Sequence, residues 1–194
     1  MIAFVRHGET AANRAGRLLG RADPALTAVG RSQAAAVGAA LATGPQPVAV
    51  VTSPLQRAVE TATIIATHIA LEVERDDRLI EIDYGEWDER GFEDVPADAL
   101  RRWRADPTFA PPGGESLAAV HARTAECAAE LLERAGDGLV IAVSHVSPIK
   151  AAVAWALQTG PEIAWRMRLD LGSITRIDRG PVVLSFNERS TGSR

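Results

Sequence analysis

Several common protein types need features that this chain lacks. It has a single cysteine, Cys127, so it cannot form an internal disulfide, and one cysteine with four scattered histidines does not make the spacing of a zinc site. Cys127 lies in a helical pattern, where a small core residue is the expectation. No segment is apolar for long enough to cross a bilayer. Met1 runs straight into an apolar stretch and leaves no room for a leader, so a cytoplasmic location with no membrane partner is expected. The net charge is −4 with no long run of one sign, which argues against a nucleic-acid partner. A small anionic ligand is compatible with that charge, since it needs only a local basic pocket.

What is present suits one domain with a sizeable core: 194 residues, 46% of them hydrophobic, and no internal repeat or linker. Ile2 to Val5, Pro47 to Val51 and Leu139 to Val143 read as buried strands, each followed by polar residues and then a helical pattern. That alternation predicts an α/β fold, a three-layer α/β/α sandwich around a mostly parallel sheet. Thr27 is expected to cap a helix whose apolar face is Val29, Ala36, Val37, Ala40 and Leu41, stopped by Gly44-Pro45. Ser53-Pro54 and Ser147-Pro148 each read as a cap followed by proline at the first helical position, opening helices that run to about His68 and Leu157. Ser116 opens another helix, which Gly136-Asp137-Gly138 ends. Ser173 to Ile177 and Val182 to Phe186 flank Arg179-Gly180 as an antiparallel hairpin, and the tail from Glu188 is expected to fray. Residues 81–115 are charged, hold two of the four tryptophans and read as a cap-like insertion with one short helix around Leu100 to Arg104.

In open α/β sheets, ligands bind at the carboxyl ends of the strands. Here those ends carry Arg6-His7-Gly8, then Ser53 with Arg57 one turn on, then Ser144-His145. Two arginines and two histidines at one edge, beside helix N-termini, predict an anion site, and phosphate suits forked guanidinium bonds best. A neutral imidazole beside bound phosphate is a nucleophile, so His7 can accept a phosphoryl group and pass it to water. Arg6, Arg57 and a protonated His145 would stabilise the transferring oxygens. Glu81, after the apolar Leu79-Ile80, is the best candidate for the acid that protonates the leaving oxygen. His68 and His121 sit mid-helix and read as structural.

With these residues in view, the chain resembles the histidine phosphatase superfamily, in the branch of phosphoglycerate mutase, fructose-2,6-bisphosphatase and α-ribazole phosphatase. The resemblance rests on FVRHGET at Phe4 to Thr10 followed by Asn13, on LTAVGRSQA at Leu26 to Ala34, and on SPLQRAVETA at Ser53 to Ala62. It continues through LIEIDYGEW at Leu79 to Trp87, PPGGES at Pro111 to Ser116 and VSH at Val143 to His145. It implies a phosphoglycerate mutase-like fold, His7 as the phosphorylated nucleophile, Arg6, Arg57 and His145 as the phosphate pocket, and Glu81 as proton donor. It further implies that Asn13 helps hold the phosphate, that Gly20 makes a backbone contact to substrate with Arg21 lending charge beside it, and that no metal or cofactor is needed. Val146-Ser147-Pro148 stands where many members carry glycines, so the room beside the phosphate is expected to narrow; Lys150 can face the pocket or solvent, and solvent is favoured. The stretch WDERGFEDV departs from the commoner tryptophan-glutamate-glycine form.

These readings predict a phosphatase acting on a small phosphorylated metabolite. The alternatives are a phosphoglycerate mutase-type transfer, which calls for a longer and more basic lid, and a non-catalytic phospho-ligand binding protein, which would be expected to lack one of the key residues. α-Ribazole phosphate, phosphoglycerates, sugar phosphates and nucleotides all stay open as substrates, and the four tryptophans with the edge hairpin leave room for a homodimer.

Overall fold

The computed structural model describes residues 1–189. A six-stranded sheet runs through it in the order β3-β2-β4-β1-β5-β6. The strands are β1 (Ile2–Arg6), β2 (Pro47–Thr52), β3 (Val73–Arg75), β4 (Leu139–Ser144), β5 (Ser173–Asp178) and β6 (Val182–Arg189). The first four are mutually parallel, and β5 and β6 join β1 as an antiparallel hairpin. The helices are α1 (Ala11–Arg14), α2 (Ala28–Leu41), α3 (Gln56–Ile69), α4 (Ala97–Ala105), α5 (Leu117–Ala135) and α6 (Val146–Ala156), with short 3₁₀ turns between them. No helix among the described residues is long and apolar enough to cross a membrane.

Strand side chains alternate between two faces, and both faces of this sheet are covered. Ile2, Phe4, Val140 and Ala142 pack with Cys127, Leu131 and Ile149 of α5 and α6. Ala3, Val5, Ile141 and Val143 pack on the other side with Val37, Leu41, Ala62 and Ile65 of α2 and α3. This is the α/β/α sandwich the alternating pattern predicts, with Cys127 as a core residue.

Local boundaries differ from the sequence expectations for physical reasons. Strand β3 escaped notice because it is three residues long and two of them are exposed. On α2, Val29 faces solvent and Ala36 and Ala40 are only half-buried; the inner stripe is Gly30, Ala34, Val37, Gly38 and Leu41. Helix α3 starts at Gln56 with Leu55 as its cap, because the Ser53 hydroxyl is engaged elsewhere. Helix α6 starts at Val146 with His145 at the cap, so Pro148 is its third residue. That is tolerated because the N–H groups at this end are largely accounted for: Val146 and Ser147 donate theirs to Glu81, and Pro148 has none. Strand β6 pairs through Glu188 and Arg189 with Ile174 and Ser173, so fraying does not begin at Glu188; the rest of the expected tail lies outside the described residues.

Residues 81–115 contain the 3₁₀ turns Gly85–Trp87 and Phe92–Asp94 and then α4, which is longer than the expected Leu100 to Arg104. Tyr84, Trp87, Val95 and Trp103 form a third apolar cluster with Leu18, Leu117, Val120 and Ala151. Trp103 is its centre, meeting Tyr84, Trp87 and Trp165 edge to face with centroids 5.8, 5.8 and 4.6 Å away. Arg102 and Arg104 lie over the rings of Phe109 and Trp165.

Candidate active site

The sheet register makes three strand ends level. Arg6 of β1 is opposite Ser144 of β4, and Val143 of β4 is opposite Thr52 of β2. The His7 N–H donates to the Ser144 carbonyl at 3.0 Å, and the Ser53 N–H to the Val143 carbonyl at 2.9 Å. Arg6-His7, Ser53 and His145 therefore emerge side by side, and the His7 and His145 rings lie 5.1 Å apart between centroids. The backbone turns away from β1 at Gly8, where a Cβ would stand 2.3 Å from the Gly30 carbonyl oxygen. Only glycine permits that approach of the first loop to α2.

The two histidines are held in different ways. His7 Nδ1 lies 2.7 Å from the Gly8 carbonyl, which can only accept, so the ring proton is on Nδ1 and Nε2 keeps its lone pair. Burial, then the charges of Arg57 and Arg6, push the His7 pKa well below the usual imidazole value, which keeps the ring neutral. His145 Nε2 lies 2.7 Å from the Ser53 hydroxyl, and its Nδ1 is buried without a partner among the described residues. Ser53 Oγ also accepts the Leu55 N–H, so this one hydroxyl ties the His145 ring at Nε2 to the start of the next helix. Burial first, then Arg57, His7 and Arg6, lower the His145 pKa as well. That direction works against the imidazolium that the sequence reading expected.

Both arginines are fixed by backbone carbonyls. Arg6 Nη1 donates to the Leu169 carbonyl at 2.6 Å. Burial lowers the Arg6 pKa to about 10, opposed by Glu81, so it remains a cation at neutral pH. Arg57, wholly buried, donates from Nη1 to the Ala22 carbonyl at 2.7 Å and from Nη2 to the Gly20 carbonyl at 2.8 Å. The Nε groups of both arginines are buried without a partner among the described residues. Burial is also the main cause lowering the Arg57 pKa, with Glu81 and Asp23 opposing it.

Glu81 is 4% exposed and sits at the start of α6. Its Oε1 accepts the N–H groups of Ile82 at 2.8 Å and Ser147 at 3.1 Å, and its Oε2 accepts that of Val146 at 3.1 Å. Behind it, Arg123 grips Glu115 with two bonds and donates to the Arg78 carbonyl at 2.7 Å, bracing the segment that carries Glu81. Sequence reasoning missed Arg123, whose helical position resembles that of any surface arginine.

The remaining expected residues are engaged with the protein itself. Asn13 Oδ1 accepts from the Thr10 N–H and hydroxyl, closing a capping box on α1. Gly20 donates its N–H to Asp88 at 2.7 Å and gives its carbonyl to Arg57. Arg21 forms longer ion pairs with Asp83 and Glu115, at 3.5 and 3.7 Å. Asp88 was absent from the sequence analysis as a site residue. Its carboxylate accepts three successive loop N–H groups, from Gly20, Arg21 and Ala22, at 2.7, 2.9 and 2.8 Å. That loop is thus clamped from two sides, its amides by Asp88 and its carbonyls by Arg57.

Beside Val146 and Ser147 opens a cavity of about 110 Å³, lined also by Tyr84, Trp103, Trp165 and Lys150. Lys150 is half-buried and lines this cavity, the less favoured of the two placements left open by the sequence. Among the described residues no three His, Cys, Asp or Glu side chains group so as to hold a metal ion.

The whole arrangement matches a family model. Residues 2–188 match that of the histidine phosphatase superfamily, branch 1. The chain belongs to this superfamily. Among similar proteins, phosphoserine phosphatase 1 of Hydrogenobacter thermophilus is 35% identical over 194 residues, covering 96% of this chain and 91% of that protein. A bifunctional protein of Mycobacterium tuberculosis is 37% identical over 177 residues, covering 90% of this chain but 49% of its own length. The chain thus spans about half the length of the first curated relatives it matches. In three dimensions it is similar to a mycobacterial glucosyl-3-phosphoglycerate phosphatase solved with VO3, with TM-score 0.86, 31% identity and coverage of 96% and 98%.

Proposed function

We propose that this chain is a histidine phosphatase that hydrolyses small phosphomonoesters through a phosphohistidine on His7. The observation that carries the reading is the pair of orientations at the strand ends. His7 keeps an unprotonated Nε2, and the Arg6 Nε and Arg57 Nε donors and the His145 Nδ1 atom are buried without partners among the described residues. Such donors favour a multiply charged oxyanion, because leaving them unpaired costs free energy. The phosphatase names of the relatives support the same chemistry.

In the first step the Nε2 lone pair attacks phosphorus as the ester P–O bond breaks. Glu81 supplies the proton to the departing oxygen, leaving its carboxylate. The two arginines and the His145 N–H meet the negative charge on the phosphoryl oxygens. In the second step water attacks phosphorus, gives its proton to Glu81, and the P–N bond breaks to free phosphate and the neutral His7. We assign Asn13 to the phosphate through its amide N–H groups, and Gly20, Arg21 and Asp88 to positioning the loop that holds Arg57. The chain is read as one catalytic domain with residues 81–115 roofing the site and a small phosphorylated metabolite as its partner. Release to water is favoured over mutase transfer because the loop amides that would hold a second anionic group already hold Asp88.

The direct test is hydrolysis of p-nitrophenyl phosphate by the wild type and His7→Ala with EDTA present. Turnover that persists in EDTA and vanishes in the variant supports the reading. Near wild-type turnover in the variant, or loss with chelator, contradicts it.

A further inference from the structure

The cavity described above adjoins the residues that hold Glu81. Val146 and Ser147, whose N–H groups hold the Glu81 carboxylate, are also part of the cavity wall. An ester oxygen protonated by Glu81 therefore has its next atoms at the cavity mouth. The rest of the wall is mostly apolar, with Trp103, Leu117 and Trp165. At about 110 Å³ it suits one ring-sized or short branched group, by comparison with the ~150 Å³ void that takes up benzene. Phe92, which also lines it, leaves 44% of its surface in solvent, an exposed apolar side chain at a binding cavity.

One cationic group stands in this apolar wall. Lys150 makes no ion pair among the described residues, and burial is the main cause lowering its pKa, with Glu81 opposing. The indole N–H groups of Trp103 and Trp165 are also buried without partners among the described residues. An ammonium in apolar surroundings is costly unless an acceptor meets it. The neighbouring set of anion-binding amides, at residues 20–22, is filled by Asp88. A second negative charge on the substrate is thus directed to Lys150.

Resting on the phosphatase reading above, we propose that the substrates are phosphate monoesters of small apolar hydroxy acids, whose ring or branched body fills the Trp103–Trp165 cavity and whose carboxylate is read by Lys150. Lys150 is then a specificity residue of the leaving-group side.

The test compares kcat/KM for phenyl phosphate and for 3- and 4-carboxyphenyl phosphate in the wild type, Lys150→Met, Lys150→Gln and Lys150→Arg. The wild type should prefer at least one carboxylated ester by on the order of 10-fold, the scale of a charge-assisted bond. In the Met and Gln variants the ratio of that ester to phenyl phosphate should fall to about 1, whatever happens to the absolute rates, and Arg should retain the preference. Turnover of all three esters with no wild-type preference, or a preference that survives Lys150→Met and Lys150→Gln alike, overturns the inference. No hydrolysis of any ester by the wild type overturns the phosphatase reading on which it rests.

Discussion

His7 gives its Nδ1 proton to the Gly8 carbonyl while His145, its ring centroid 5.1 Å away, is tied to the Ser53 hydroxyl at Nε2. The two rings are thereby held at opposite nitrogens, His7 with Nε2 free and His145 with Nδ1 free. A histidine pair with both rings charged would repel across that distance and lose the nucleophile. The proposed chemistry depends on this difference, and Ser53 is the residue that sets it on the His145 side. Ser53→Ala should leave His145 Nε2 buried and unpaired and free its tautomer. A loss of about 1–3 kcal/mol of stability is expected for such a group, seen as a lowered Tm, together with a drop in kcat on p-nitrophenyl phosphate that Ser53→Thr partly restores. Unchanged kcat in Ser53→Ala would remove Ser53 from the account.

The depressed histidine pKa values make stability depend on pH. Each ring stays neutral when folded but takes a proton in the unfolded chain below the ordinary value of 6.5. The unfolded state then binds more protons, so stability falls as pH drops below 6.5, by at most about 1.4 kcal/mol per pH unit for each ring. Thermal unfolding followed from pH 7.5 to 5 should show a falling Tm, with a shallower fall in His7→Gln/His145→Gln. The same slope in both proteins would contradict the neutral pair.

Asp88 and Arg57 share the loop at residues 19–22 without touching the reacting atoms in the same way. Asp88→Asn retains one acceptor oxygen and should lose at least one of three N–H bonds, while Asp88→Ala loses all three. Since Arg57 is fixed by the carbonyls of that loop, both variants should lower kcat more than they raise KM, Ala by on the order of 10²-fold and Asn by less. Equal rates in the wild type and Asp88→Ala, with a lowered Tm, would reduce Asp88 to a structural clamp.

Glu81→Gln separates proton donation from folding. The acid matters where the leaving oxygen is basic, so alkyl phosphates should lose far more rate than p-nitrophenyl phosphate. The variant also replaces one acceptor oxygen at the start of α6 by an NH₂ group facing the Val146 N–H, so its Tm should fall too. Equal rate losses on both ester types would argue against Glu81 as the acid.

Much of this was legible in the sequence, for reasons visible in particular residues. Strands β1, β2 and β4 show because buried parallel strands are continuous apolar runs, and Arg6, His7, Arg57 and His145 show because they interrupt the pattern right after them. The short edge strand Val73–Arg75 carries no such run. The misplaced start of α3 has a chemical cause: Ser53 has the composition of a cap, but its hydroxyl serves His145. Asp88 escaped because a carboxylate that accepts backbone N–H groups of a loop far away in sequence leaves no local mark. Lys150 stayed open between pocket and solvent because a lysine on a helix usually reaches water, and the cavity wall it joins is built by Trp103 and Trp165 from distant segments.

The central claim is covalent transfer to His7. Wild-type protein quenched in alkali during turnover of a ³²P-labelled phosphomonoester should carry an acid-labile label that maps to the peptide containing His7 and is absent from His7→Ala. A turning-over enzyme with no such label, or with the label on another residue, would contradict it.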